Sequence, residues 1–253
     1  MDLARLLIEH GADAAAQSKD GTTLLHRASE EGRVDMAQLL IEHGANAAGK
    51  SKNGTTPLHR ASFCGHVDVA RLLIEHGADM ATQSEDGTTP LHEVFKQGHV
   101  ELAQLLIEHG ADVVGQSEDG TTLLHRASER GHVGLAKLLI NHGADATGQS
   151  KNGATPLHWA SFRRDVNLAR LLIEHGADVT AQSNDGTSSL HWASFTGDVD
   201  LAKLLIEHGA DVEAQCEDGT TPLHWAYKWG HMDLAQLLIE RGADAAAVPM
   251  AQV

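Results

Sequence analysis

The sequence predicts an all-α solenoid, a row of small helical units stacked on one another, and not a closed globule. One observation carries most of this. The phrase Asp20-Gly21-Thr22-Thr23-Leu24-Leu25-His26 returns as Asn53 to His59, Asp86 to His92, Asp119 to His125, Asn152 to His158, Asp185 to His191 and Asp218 to His224. A fixed 33-residue period repeated seven times marks one supersecondary unit stacked on its copies. A second observation is composition. At 42% hydrophobic but only 4% aromatic, the core must be built from Leu, Ile, Ala and Val.

Each copy carries the same local instructions. The Asp/Asn-Gly pair signals a tight turn, with glycine supplying a positive φ. A Thr, or Ser188 in the sixth copy, follows where an N-cap is wanted, and Pro57, Pro90, Pro156 and Pro222 stand at the first helical position. The first helix is short, as from Pro57 to Cys64, and stops at a glycine such as Gly65. A second helix, as from Val67 to His76, carries Leu and Ile at helical spacing and ends at Gly77. A polar stretch then leads to the next turn.

This pattern resembles the ankyrin repeat. The Thr-Pro-Leu-His-x-Ala signature stands intact at Thr56–Ala61, Thr155–Ala160 and Thr221–Ala226, and Gly-Ala-Asp follows the second helix at Gly11, Gly77, Gly110, Gly143, Gly176, Gly209 and Gly242. The resemblance covers essentially the whole chain. It implies β-turn plus helix-turn-helix units in a curved right-handed stack. The expected organisation is a single array over 1–253: a leading half repeat 1–17, full repeats 18–50, 51–83, 84–116, 117–149, 150–182, 183–215 and 216–248, and a tail 249–253. A beginning with half a repeat, and ends without polar capping copies, are expected of a segment from a longer array.

Some copies depart from the pattern. Leu24, Leu123 and Ser189 replace proline, which removes preorganisation but not the helix. Val94-Phe95 replaces the small Ala-Ser pair, so the third full repeat is expected to loosen. Arg164 stands where a helix-ending glycine is wanted, and a left-handed conformation there costs roughly 1 kcal/mol relative to glycine. The fifth repeat is therefore expected to be locally weak.

A net charge of −16 argues against nucleic acid and anionic membranes as partners. Cys64 and Cys216 are five repeats apart, roughly 40–50 Å at the usual helix spacing, which excludes a bridge between them. Few cysteines, no visible signal peptide and no long apolar run together point to an intracellular, cytoplasmic monomer. Of 18 histidines, fourteen fall on two ladders, from His26 in the signature and from His10 before Gly-Ala-Asp. Rungs one repeat apart, roughly 10 Å, cannot share a metal ion. The resemblance implies that signature histidines bond the neighbouring Thr and loop backbone, so no metal, cofactor or catalytic role is expected. Buried neutral histidines should make stability fall below about pH 6.

The copies differ mainly at three places: the residue after the signature histidine and the two before the terminal glycine. In the resembled family these positions, with the turn tips, line a concave partner-binding surface. All nine aromatic residues are placed on first helices, and seven lie in the last three repeats. The candidate protein-binding residues are Trp159, Phe162, Arg163, Trp192, Phe195, Trp225, Lys228 and Trp229. Trp159, Trp192 and Trp225 are expected to pack partly between repeats, and Phe162, Phe195 and Trp229 to face an open groove. Segments from the capping Thr/Ser to the helix end sum to +4, against −20 for the remainder. The expected role is non-catalytic recognition of a protein segment with apolar anchors and some acidic residues. The alternatives are a structural spacer within a scaffold, or a designed, consensus-like array without an evolved partner.

Overall fold

Fifteen α-helices form among residues 3–117 and 119–247, which are the residues that this computed structural model describes. The tail 249–253 and the first two residues of the leading half repeat lie outside them. The chain divides into two compact units, Met1–Val113 and Val114–Val253. This division falls inside the repeat 84–116 and not at a repeat boundary. The first unit holds α1 (Leu3–Glu9), α2 (Leu24–Glu30), α3 (Val34–Glu42), α4 (Pro57–Cys64), α5 (Val67–Glu75), α6 (Pro90–Gln97) and α7 (Val100–Glu108). The second holds α8 (Leu123–Arg130), α9 (Val133–Asn141), α10 (Pro156–Phe162), α11 (Val166–Glu174), α12 (Ser189–Thr196), α13 (Val199–Glu207), α14 (Pro222–Lys228) and α15 (Met232–Glu240). Among the described residues, extended pairing is limited to isolated bridges such as Gln182 with Ser188.

In the first unit α2 packs on α4 and α4 on α6; in the second α8, α10, α12 and α14 pack in sequence. Second helices pack behind them, and meet one another less extensively. Leu58, Ala61, Ala70 and Leu73, and their equivalents Leu157, Ala160, Ala169 and Leu172, are fully buried. Val94 and Phe95 are also fully buried. At the Phe95 position most other copies place a buried serine, and the hydroxyls of Ser62, Ser128, Ser161 and Ser194 have no hydrogen-bond partner there. The larger ring at Phe95 therefore fills a core position that a polar atom occupies poorly elsewhere.

Five of the signature histidines join their own repeat to the next. The Thr56 Oγ1 accepts from the His59 N–H (3.4 Å), while His59 Nδ1 accepts from the Thr56 N–H (3.2 Å) and hydroxyl (2.8 Å). His59 Nε2–H then donates to the Thr88 carbonyl of the following turn (2.9 Å). His26 reaches Thr55 in the same way, and in the second unit His125, His158 and His191 reach Ala154, Thr187 and Thr220. These partners require the neutral tautomer with its proton on Nε2. The other ladder differs: Nδ1–H of His10, His43, His76 and their equivalents donates to the carbonyl four residues back, closing the second helix.

A third histidine ladder escaped the sequence reading. His66 and His99 donate from Nε2 to the carbonyls of Glu30 (3.0 Å) and Phe63 (3.2 Å) in the preceding repeat, and His231 donates to Phe195 (3.1 Å). The ring lies over the glycine that ends the preceding first helix. Gly65 has φ 78°, and a Cβ there would stand 2.7 Å from the His99 ring. Arg164 does adopt the left-handed conformation, with φ 61°. It fits because the residue one repeat on is Asp198, not histidine. Asp198 caps α13 by accepting from the Leu201 N–H (3.0 Å), and its carboxylate pairs with Arg164 at 3.5 Å.

Two outcomes follow. Burial pushes the pKa values of His26, His59, His125, His158 and His191 below their usual value of 6.5. The unfolded chain therefore takes up protons first, and stability declines as pH falls below 6.5 until the folded-state pKa values are reached. Asp20, Asp86, Asp119, Asp145, Asp185 and Asp218 are held below 3.8 by hydrogen bonds, Asp20 at about 2, so they add a further loss below pH 3.8. A melting series should show both declines, and a flat profile from pH 7 to 5 would contradict the histidine assignment. In chemical denaturation, Arg164→Gly should be about 1 kcal/mol more stable than Arg164→Ala, since both lose the ion pair with Asp198 and only alanine keeps the strained φ.

Candidate protein-binding face

The aromatic residues of the second unit form a continuous row across α10, α12 and α14. Trp159 meets Phe162 edge-to-face at 6.5 Å, and Phe162 meets Trp192 of the next repeat at 5.1 Å. Trp192 contacts Phe195 at 5.9 Å and Trp225 at 5.7 Å, and Phe195 reaches Trp229 at 4.8 Å. Edge-to-face pairs at 4.5–7 Å add to what burial alone contributes, so the row is held rigidly. Trp159, Trp192 and Trp225 are half-buried, as expected of residues packed partly between repeats. Phe162 and Trp229 are 44% and 50% exposed, and Arg163 and Lys228 beside them are exposed.

Phe195 departs from expectation. It is half-buried and not in the open, because Trp192, Trp225 and Trp229 all pack on it. Trp229 stands one residue beyond α14, as its C-cap. Phe95 belongs to the core of the first unit. The half-buried Trp225 also satisfies its own polar atom, donating from Nε1 to Thr220 Oγ1 at 3.1 Å.

Opposite the rings stand the turn tips, which sequence reasoning left without named residues. Within a tip the Ser183 hydroxyl donates to Asp185 Oδ1 (2.6 Å) and the Thr187 N–H donates to the same oxygen (3.1 Å). Adjacent tips are tied through the backbone, with Asn184 N–H donating to the Asn152 carbonyl and Glu217 N–H to the Asp185 carbonyl, both at 2.8 Å. Gly153, with φ 77°, makes this approach possible: a Cβ there would lie 2.9 Å from the Asn184 nitrogen. The tips and first helices together enclose a cavity in each of three repeat pairs.

The cavity between α10 and α12 measures about 360 Å³. Trp159, Phe162 and Trp192 wall it, neutral His158 lies below, and Asn152 and Asp185 contribute the polar rim. Three repeats earlier, a cavity of about 400 Å³ in the first unit has the same construction with different chemistry. Arg60 replaces Trp159, Phe63 replaces Phe162, Glu93 replaces Trp192, and Asp86 matches Asp185. A third cavity, of about 280 Å³, lies between α8 and α10 and holds Arg126, whose guanidinium pairs with Asp119 (3.8 Å) and Glu129 (3.3 Å). The signal for these cavities in sequence is the variation from copy to copy of the residue after the signature histidine, since that residue lines them.

Among the described residues, no three His, Cys, Asp or Glu side chains gather as a metal site, and no helix is long and apolar enough to cross a membrane. The helix pairs, turn tips and bridging histidines define a repeat-built interaction scaffold. The family model described as ankyrin repeats (3 copies) matches residues 1–84, 46–117, 76–149, 114–183 and 180–248, and the chain belongs to the ankyrin-repeat family. Ankyrin repeats are in general protein–protein interaction modules without catalytic activity. Among solved structures, the human ASB11 ankyrin repeat domain is similar, with a TM-score of 0.79 and 28% identity, over 88% of this chain and 99% of that one. No curated protein matches the sequence.

Proposed function

We propose that the chain recognises a protein segment on the first-helix and turn-tip face of its second unit, using Trp159, Phe162, Arg163, Trp192, Phe195, Trp225, Lys228 and Trp229. The reading takes the repeats as one array acting as a monomer in the reducing cytoplasm. The observation that carries it is the exposed end of the aromatic row. Phe162 and Trp229 hold 44% and 50% of their surface in water although the repeat tolerates small or polar residues at both places. Aromatic residues with arginine beside them are the types that dominate binding hot spots, and exposed apolar surface of this kind ordinarily has a partner. Arg163 and Lys228 flank the row and suit acidic residues in the bound segment, while the rings take its apolar anchors. A spacer would need no such row.

The test uses peptides selected from a random library against the full chain. Phe162→Ala with Trp229→Ala should weaken their binding by about 2 kcal/mol or more, while circular dichroism shows the helices still folded at the assay temperature. Lys137→Ala with Lys203→Ala, on exposed positions of the second helices, should leave binding unchanged. The reverse pattern would refute the assignment.

A further inference from the structure

We propose that the cavity between α10 and α12 takes the guanidinium group of an arginine in the bound segment. The inference rests on the docking face described above and adds the chemistry of one subsite.

The comparison of the three cavities carries the argument. Each has an acidic residue on its turn tip: Asp86, Asp119 or Asp185. Two of them also contain an arginine of the chain itself, Arg60 in the first unit and Arg126 between α8 and α10, the latter paired with Asp119 at 3.8 Å. In the cavity between α10 and α12 the corresponding residue is Trp159. Asp185 is left exposed, and among the described residues no cationic side chain pairs with it. No nearby basic residue pairs with it. Arg164 pairs with Asp198 (3.5 Å), and Arg163 lies against the preceding repeat, where a Cβ on Gly131 would stand 3.3 Å from its Nε. Lys151 lines the neighbouring cavity, not this one.

Among the residues that wall this cavity, Asp185 is the one ionised group. Bonds from Ser183, with support from Thr187, hold its carboxyl below the usual range, and burial holds His158 neutral. An anionic occupant would be repelled. An aliphatic occupant would shield the carboxylate from water without replacing its hydrogen bonds. A cation pairs with it and also gains from the aromatic walls, Trp159, Phe162 and Trp192, whose π systems attract positive charge. A guanidinium suits the site better than an ammonium. It is flat, weakly hydrated, able to stack on a ring, and its several donors can serve Asp185 and a tip amide oxygen together.

The test follows the indole Nε1–H signals of the ¹⁵N-labelled full chain during titration with N-acetyl-arginine methylamide and its citrulline, lysine and norleucine counterparts. The arginine probe should shift Trp159 and Trp192 and bind at least about tenfold tighter than the neutral citrulline isostere. Asp185→Asn should reduce arginine to the citrulline level, and the tip should stay folded, since Asn53 and Asn152 occupy this place in other repeats. Trp159→Arg, which restores the arrangement at Arg60, should abolish the arginine response. Equal binding of lysine would overturn the guanidinium assignment. Norleucine binding as tightly as arginine, or an Asp185→Asn variant that binds arginine normally, would overturn the cation proposal and leave the apolar docking face standing. No response at Trp159 or Trp192 to any probe would also overturn it, and the docking face itself would fall only if Phe162→Ala with Trp229→Ala left peptide binding intact.

Discussion

A neutral imidazole held between two repeats is the constraint on which the rest of the structure depends. In His158 one ring nitrogen accepts from the cap of its own helix and the other donates to the Thr187 carbonyl of the next turn, at 3.0 Å. Both bonds are buried, where a lost partner costs more than in water. Repeated along each unit, this bridge fixes the height and orientation of every turn tip relative to the first helix behind it. The backbone tie from Asn184 to Asn152 then has little freedom left. The cavity between α10 and α12 is an outcome of that registration: His158 forms its floor, and the residue that follows, Trp159, forms a wall. On the proposed reading, structure and recognition share adjacent residues, one invariable within the chain and one variable.

The period, the helix order and most helix ends were legible in the sequence, because they follow from local chemistry repeated seven times. Capping Thr before Pro-Leu-His and glycine after the first helix place α4 at Pro57–Cys64 as expected. The left-handed Arg164 could be read from its place in the repeat. What could not be read depends on contacts between copies. His66, His99 and His231 look like loop residues until the preceding repeat supplies a carbonyl and a glycine to lie over. Phe195 looks open until Trp225 and Trp229 of the next repeat close on it. Phe95 and Phe195 both stand on first helices, α6 and α12, yet they differ by one register position, which sends Phe95 into the core. The expected residues of the face came largely from one wall, the helices. Asp185, Asn152 and Asn184 on the other wall went unnamed, because turn residues already carry a structural explanation.

The paired exchange at Arg164 and Asp198 shows how the scaffold accommodates change. A histidine ring over the helix-ending glycine leaves no room for a side chain there, as the 2.7 Å approach to Gly65 shows. Asp198 removes that ring, adds a side-chain cap to α13, and supplies a counter-charge to the side chain that replaces glycine. The two residues are complementary across one repeat boundary, and the cost of Arg164 falls on backbone strain and not on an unpaired charge. The same logic applies on the inner face, where Arg60 is accompanied by Glu93 one repeat on and Trp159 by Trp192.

Near-identity among the copies turns these cavities into an internal comparison. Backbone, floor histidine and tip serine are common to the cavities at Arg60 and Trp159, so a difference in what each one holds must come from the few wall residues that change. At Arg60 a charged side chain beside Phe63, Glu93 and Asp86 uses the polar capacity of the cavity within the chain, though Arg60 Nε and Glu93 Oε2 remain buried without partners. At Trp159 the charge has been exchanged for ring surface while the tip carboxylate stays. The exchange lowers no obvious cost for the isolated chain: it leaves the cavity without a cation of the chain's own and its three rings partly wet. Such an arrangement is better explained by complementarity to something outside the chain than by the stability of the stack, because the stack has already shown, at Arg60, that it can place a cation of its own there.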